Sequence, residues 1–264
     1  MAMALDDTPD TPPPAAAPAP RRPHHRTVDR VAALLDAVAR APMGLSLSQL
    51  ATRLEAPVSS IQGLVNGLTA VGYLTEEDKR FLLGPATYVL NLAAGRRPAA
   101  GVRQEDLEEL ATRTGADVLV AVRVGDSVVY TSHAGPWSIQ RLAYRVTEYR
   151  ASPMLCTAAG WAILAHADER DLRAHLATEG ERYPRQTTEF LDRIEHIRRT
   201  GMAYTHALGD PEVSAVAVPL GGGGQADAAI LVIGRHEQID GRSNELGAQL
   251  QEAVRAWESR QDQP

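Results

Sequence analysis

Between Ser46 and Leu74 the chain marks out two helices so close together that only a tight turn can join them. Ser46-Leu47-Ser48-Gln49 matches a capping box, in which a Ser hydroxyl and a Gln side chain satisfy each other's free backbone amides, and it opens a short helix to about Leu54. Pro57 stands where a second helix begins, because its missing N–H costs nothing there. From Ile61, apolar residues recur at Leu64, Val65, Leu68 and Val71, and Gly72 is a natural left-handed stop. Two helices, a turn of a few residues and one buried stripe make a helix-turn-helix. Upstream, Val28, Val31, Leu35 and Val38 fall at helical spacing behind Thr27, a good cap. Downstream, Tyr73-Leu74-Thr75 and Arg80-Phe81-Leu82-Leu83 flank a tight acidic turn that closes at Gly84-Pro85, so residues 26–84 read as a winged helix-turn-helix.

Around this unit, charge divides the chain. Net charge is −6 over 264 residues, yet residues 21–97 carry ten Lys/Arg against six Asp/Glu, while residues 98–264 carry seventeen against twenty-four. A mildly basic segment joined to an acidic one points to two parts with different partners. Residues 1–25 begin as a Pro/Ala-rich stretch with six prolines before residue 21 and end in a basic arm, Arg21 to His25, which is either a solvated tail or a phosphate contact; the segment holds too little apolar matter to repay the entropy of ordering. The lone cysteine, Cys156, excludes intrachain disulfides and offers no metal cage, so no metal and no cofactor is expected. No apolar run approaches a membrane span, and the chain reads as cytoplasmic, without a membrane partner.

Ala86, Val89, Leu90 and Ala93 give residues 85–98 the spacing of a linker helix, with a plain spacer as the other reading. Beyond it, helices are expected over 104–114, 157–166, 169–176, 188–200 and 243–259, and strands over 117–124, 127–132, 213–220 and 228–234. Gly125-Asp126 is a two-residue hairpin signal between β-branched runs. Residues 99–264 thus form an antiparallel sheet with helices packed around it, an α+β arrangement. Catalysis has only thin support. Cys156 with His133, His175 or His206 as base lacks a local signature, and Gly221 to Gly224 precede a strand with no Lys-Ser/Thr after them, which suits a turn better than a phosphate loop. No catalytic residue is assigned and the chain is not read as an enzyme.

Several motifs in order, RTVDRVAALLDAV, GLSLSQLATRL, PVSSIQGLVNGLTAVGYL, FLLGPATYVL, SPMLCTAAGWAILA and IRRTGMAYTHALGDPEVSAVAVPL, resemble the IclR (isocitrate lyase regulator) family of bacterial transcription factors over roughly residues 26–258. The resemblance implies a homodimer or dimer of dimers, dimerising through the linker helix, with a GAF-like C-terminal domain that binds a small-molecule effector. It also implies double-stranded DNA as partner, at an inverted-repeat operator.

Turning ~100° per residue, the second helix of the motif presents Ser59, Gln62, Gly63, Asn66 and Ala70 opposite its buried stripe. None is charged. Gln and Asn can each bond an adenine edge twice, while phosphate contacts fall to flanking bases. Candidate DNA-contacting residues are therefore Ser59, Ser60, Gln62, Gly63 and Asn66, with Arg26, Arg30, Arg53, Lys79 and Arg80 around them. Relatives often have basic residues or His where this chain has Val58, Gln62 and Gly63, and its wing tip is Glu76-Glu77-Asp78.

For the effector, the resemblance implies a site built from Met154, Leu155, Cys156, Thr157, Ala158 and Ala159, whose backbone amides suit a carboxylate, and facing them Thr205, Ala215, Leu231 and Ile233. Relatives that bind small polar acids often have acidic, thiol and hydroxyl groups at those facing positions. Apolar groups there favour an effector with one polar head and an apolar or aromatic body, with Trp161 as a further wall or as ordinary core. The sequence reads as a ligand-responsive regulator, more readily a repressor, with a sensor or interaction module that has lost DNA binding as the alternative and a cysteine-dependent enzyme further off.

Overall fold

The computed structural model describes residues 25–94, 102–221 and 226–261. The tail and basic arm before His25, the end of the linker at Gly95–Pro98 and the glycines 222–224 lie outside them. In the N-terminal unit, α1 (Arg26–Ala39), α2 (Leu47–Arg53) and α3 (Val58–Ala70) enclose Leu34, Val38, Leu50, Ile61 and Val65, and the hairpin β1 (Leu74–Glu77) with β2 (Arg80–Leu83) adds Leu74 and Phe81 to that core. Local chemistry sets the joints. Ser46 Oγ accepts from the Gln49 amide at 3.3 Å while Gln49 Oε1 accepts from the Ser46 amide at 2.9 Å, the reciprocal capping box. Asp78 and Lys79 both take positive φ, 49° and 60°, as a two-residue hairpin turn matched to strand twist requires.

Three details differ from the sequence reading. α1 starts at Arg26 with His25 as its uncapped N-cap residue, so Thr27 lies inside the first turn. Pro57, with ψ of 138°, is the extended residue before α3 and not its first helical one. Val71 is 64% exposed because α3 ends at Ala70, and the stripe reduces to Ile61, Leu64, Val65 and Leu68. After the wing comes α4 (Ala86–Ala94), in which no residue is buried.

The C-terminal unit runs α5 (Gln104–Thr114), β3 (Asp117–Val124), β4 (Ser127–Ala134), α6 (Gln140–Thr147), β5 (Ser152–Pro153), α7 (Ala158–Ala165), α8 (Glu169–Glu179), α9 (Pro184–Thr200), β6 (Ala203–His206), β7 (Val213–Leu220), β8 (Ala228–Arg235), α10 (His236–Ile239) and α11 (Ser243–Gln261). The strands make one antiparallel sheet in the order β5-β4-β3-β8-β7-β6, the expected α+β architecture. Elements α6, β5, β6 and α10 add to those expected from the sequence.

Period-2 alternation gives this sheet two buried faces. Val118, Val120, Val216 and Val232 meet Leu107 of α5 and Leu246, Leu250 and Trp257 of α11. The opposite face, with Leu119, Ala217 and Leu231, meets α7, all eight of whose residues are buried. Register on that face aligns Ile233 with Ala215 and Ala215 with Thr205, a row across three strands. Among the described residues no helix is long and apolar enough to cross a membrane.

Candidate functional site

Two surfaces carry the candidate residues. On the first, Ile61 and Val65 bury one side of α3, and Ser59, Gly63 and Asn66 are exposed on the other, with Ser60 and Gln62 half-buried between. Gln62 Nε2 donates to Asn66 Oδ1 at 2.7 Å, one helical turn on. Arg30 reaches from α1 to Ser60 Oγ at 3.4 Å. Arg26, Arg53, Lys79 and Arg80 are all exposed, although Arg80 turns one guanidinium nitrogen back to the Gly44 carbonyl at 3.1 Å. No side chain caps the start of α3. Its first amides therefore retain bonding capacity that a phosphate oxygen could use.

The second surface is a cavity of about 190 Å³ in the C-terminal domain, between the sheet face, α6, the start of α7 and the loop after β6. Of the expected effector-site residues, Cys156, Thr157, Ala158, Thr205, Ala215, Leu231 and Ile233 line it. Met154, Leu155 and Ala159 do not; they are fully buried in the core behind. Trp161 is core as well, its indole N–H donating to the Leu155 carbonyl at 2.8 Å and its ring tilted against Phe190. Thr157 is the N-cap of α7, accepting from the Gly160 amide at 3.0 Å, and Ala158 opens the helix at the cavity wall. Gly209 closes the rim: a Cβ there would lie 2.6 Å from the Cys156 carbonyl.

Sequence reasoning missed the charged part of this cavity. Arg141 and Arg145 of α6 both line it; Arg145 donates to the buried Ser152 hydroxyl at 2.9 Å and Arg141 to Asp210 at 3.0 Å. The signal was present, since Leu142 and Val146, four apart, are the buried side of an amphipathic turn whose neighbours Arg141 and Arg145 face outward from the core. Tyr130, also lining, has its hydroxyl pushed up to about 12 by burial, so it stays a protonated donor. Burial likewise pushes the Cys156 thiol up, against nucleophilic use. The bases considered for it are engaged elsewhere: His133 with Asp117 at 2.8 Å, His175 with Asp126 at 3.0 Å and His206 with Asp240 at 3.0 Å.

Comparison with known proteins gives consistent results. Residues 27–78 match a family model described as the IclR helix-turn-helix domain, and residues 93–259 match the bacterial transcriptional regulator IclR C-terminal domain. Similar solved structures include an IclR transcriptional regulator from Silicibacter sp. TM1040, at 23% identity over 89% of this chain and 95% of that one, TM-score 0.67. Another, from Alicyclobacillus acidocaldarius, is 24% identical over 89% and 99% of the two chains, TM-score 0.63. An IclR homolog from Microbacterium hydrocarbonoxydans, complexed with 4-hydroxybenzoate, is 20% identical over 88% and 97%, TM-score 0.67. At such identities the likeness is one of fold. No curated protein sequence matches the chain.

Proposed function

Because the chain belongs to the IclR family of bacterial transcriptional regulators, which brings a DNA-binding helix-turn-helix and a ligand-binding C-terminal domain, we propose that it is a cytoplasmic, homo-oligomeric repressor whose effector is an organic acid with an apolar or aromatic body. The observation that carries the ligand class is the division of the cavity. Arg145, Ser152 and Tyr130 supply donors, and Leu142, Leu208, Val213, Leu231 and Ile233 supply apolar wall. A carboxylate satisfies the first set and an apolar body the second, whereas the second charge of a compact dicarboxylate would meet aliphatic groups or Arg141, which Asp210 and Glu212 already engage. The 4-hydroxybenzoate held by the Microbacterium relative has this division and serves here as a probe.

For DNA, the uncharged face of α3 reads base edges through Gln62 and Asn66, while Arg26, Arg30, Arg53 and Lys79 meet phosphates. Support for oligomerisation comes from α4, where Tyr88, Val89, Leu90 and Leu92 are each more than half exposed. A mobility-shift assay on DNA upstream of the chain's own gene, with a parallel in vitro transcription assay, tests the reading: retarded DNA, reduced transcript, and release by aromatic acids but not by glyoxylate are expected. Failure to retard any DNA at low salt would favour the interaction module, for which the exposed Glu76, Glu77 and Asp78 on the wing speak.

A further inference from the structure

On the face of the sheet away from the cavity, three side chains from two segments converge. His206 ends the edge strand β6, His236 opens α10, and Asp240 follows four residues later. Asp240 Oδ2 lies 3.0 Å from His206 Nδ1 and 3.9 Å from His236 Nδ1, and the three ligand atoms all fall within 4.8 Å of one another. The two imidazoles stack with centroids 4.0 Å apart and planes 23° from parallel, so joint ligation through Nδ1 requires the half-exposed His206 ring to turn. Among the described residues no other group of three His, Cys, Asp or Glu side chains converges in this way.

We propose that His206, His236 and Asp240 bind a divalent late first-row transition metal, Zn²⁺ by preference, with water completing the coordination. With metal–ligand bonds of ~2.0–2.1 Å, the edge of a tetrahedral site is about 3.3 Å, which the two measured nitrogen–carboxylate separations bracket. Tautomers agree with this assignment. His236 Nε2 lies 2.8 Å from the Pro211 carbonyl, which can only accept, so the neutral ring carries its proton there and turns the Nδ1 lone pair into the cluster. That outer bond is the usual support of a metal-ligating imidazole. Asp240 is held in the same manner, Oδ1 accepting from the Tyr204 hydroxyl at 2.9 Å, while Oδ2, now 3.0 Å from His206 Nδ1, is the oxygen that would meet the metal. Ligation through His206 Nδ1 requires the tautomer with the proton on Nε2, on a ring that is half exposed. The fully buried Ser214 hydroxyl lies 2.8 Å from His236 Nδ1 and 3.3 Å from His206 Nδ1, so a metal must displace its hydrogen bond to the His236 lone pair. Two imidazoles and one carboxylate suit Zn²⁺, Co²⁺ or Ni²⁺; Mg²⁺ and Ca²⁺ prefer oxygen alone.

An ion there would clamp α10 to the edge strand. Through the His236–Pro211 bond it would also brace the loop that carries Gly209 and Asp210 at the cavity rim. The proposal does not depend on the effector being an acid.

Equilibrium dialysis of the full-length protein against Zn²⁺, with Co²⁺ visible absorption as the coordination probe, is the test. One Zn²⁺ per chain, intense tetrahedral Co²⁺ bands and no displacement by millimolar Mg²⁺ are expected. His206→Gln, at an exposed position, should fold as the parent does and weaken Zn²⁺ binding by more than about a hundredfold, since loss of an outer-shell partner alone typically costs 10–100-fold. Asp240→Asn provides a second variant should His206→Gln fold poorly. Binding that survives His206→Gln and Asp240→Asn, or that is lost instead when His24 and His25 are replaced, overturns the proposal.

Discussion

Gln62 and Asn66 are joined along the outer side of α3 by a 2.7 Å hydrogen bond from Nε2 to Oδ1. Each amide thereby orients the other before any DNA arrives, and neither spends its full bonding capacity on the pair. The geometry separates reading from holding. Asn66→Ala and Gln62→Ala should each lower discrimination between operator and random DNA by about 1–3 kcal/mol while leaving nonspecific affinity nearly intact. Lys79→Ala or Arg53→Ala should weaken all sequences alike and reduce the salt slope by about one. Binding curves on operator and scrambled duplexes at three salt concentrations check both, and an unchanged preference in Asn66→Ala would remove α3 from the groove.

Helix α4 exposes Tyr88, Val89, Leu90 and Leu92 at 53–65% and buries nothing, which water tolerates poorly in a nine-residue helix unless another surface covers it. Val89→Glu with Leu92→Glu should shift a dimer or tetramer to monomer at micromolar concentration and abolish footprints on two-fold operators. Light scattering and footprinting decide it; a parent protein that is already monomeric ends the argument.

What was legible in the chain followed from signals local to a few residues. The Ser46–Gln49 box, Gly72 at φ +79° and Gly125 at φ +61° each declare a joint through one backbone requirement, and the structure has each where it was expected. The cavity wall formed by Thr205, Ala215, Leu231 and Ile233 came through resemblance, because pairing β6 with β7 and β7 with β8 is a long-range register with no local mark. Illegible for the same reason were Arg145 against Ser152 and His206 against Asp240, contacts between segments seven and thirty-four residues apart. Trp161 looks like a wall in one dimension, but α7 is apolar on every side, so helical spacing does not say which side faces the cavity.

Asp117 gives a pH dependence with a definite sign. It is fully buried at the start of β3 and accepts from His133 and from the amides of Trp137 and Ser138, each at 2.8 Å. Burial alone would raise its pKa, but those hydrogen bonds outweigh it and hold the carboxyl below its ordinary value of 3.8. A folded-state pKa below the unfolded one contributes stability that is present above the ordinary value and lost as pH falls through the folded one. Asp117→Asn should therefore cost about 1–3 kcal/mol at pH 7, from donors left without a charged acceptor, and progressively less below pH 3.8. Urea midpoints of parent and variant at pH 7 and pH 3 should converge at the lower pH; a constant gap would show that the carboxylate charge is irrelevant.

Arg145 bears on the effector itself, because it is the cavity's cation closest in role to a carboxylate clamp, whereas Arg141 is already occupied by Asp210 and Glu212 at 3.0 and 3.4 Å. Hydrogen bonds to charged groups are worth about 1.5–3 kcal/mol, so Arg145→Met, which keeps the apolar stem, should lower affinity for an aromatic acid by roughly 10–100-fold. Affinity for the corresponding neutral amide should change little, since the apolar walls are untouched. A complementary substitution, Leu231→Asp, should abolish binding of both by placing an uncompensated charge in the wall. Calorimetric titration of the three proteins with 4-hydroxybenzoate and 4-hydroxybenzamide separates head from body. If Arg145→Met binds the acid as tightly as the parent does, the carboxylate lies at the α7 amides beside Ala158 and not at α6.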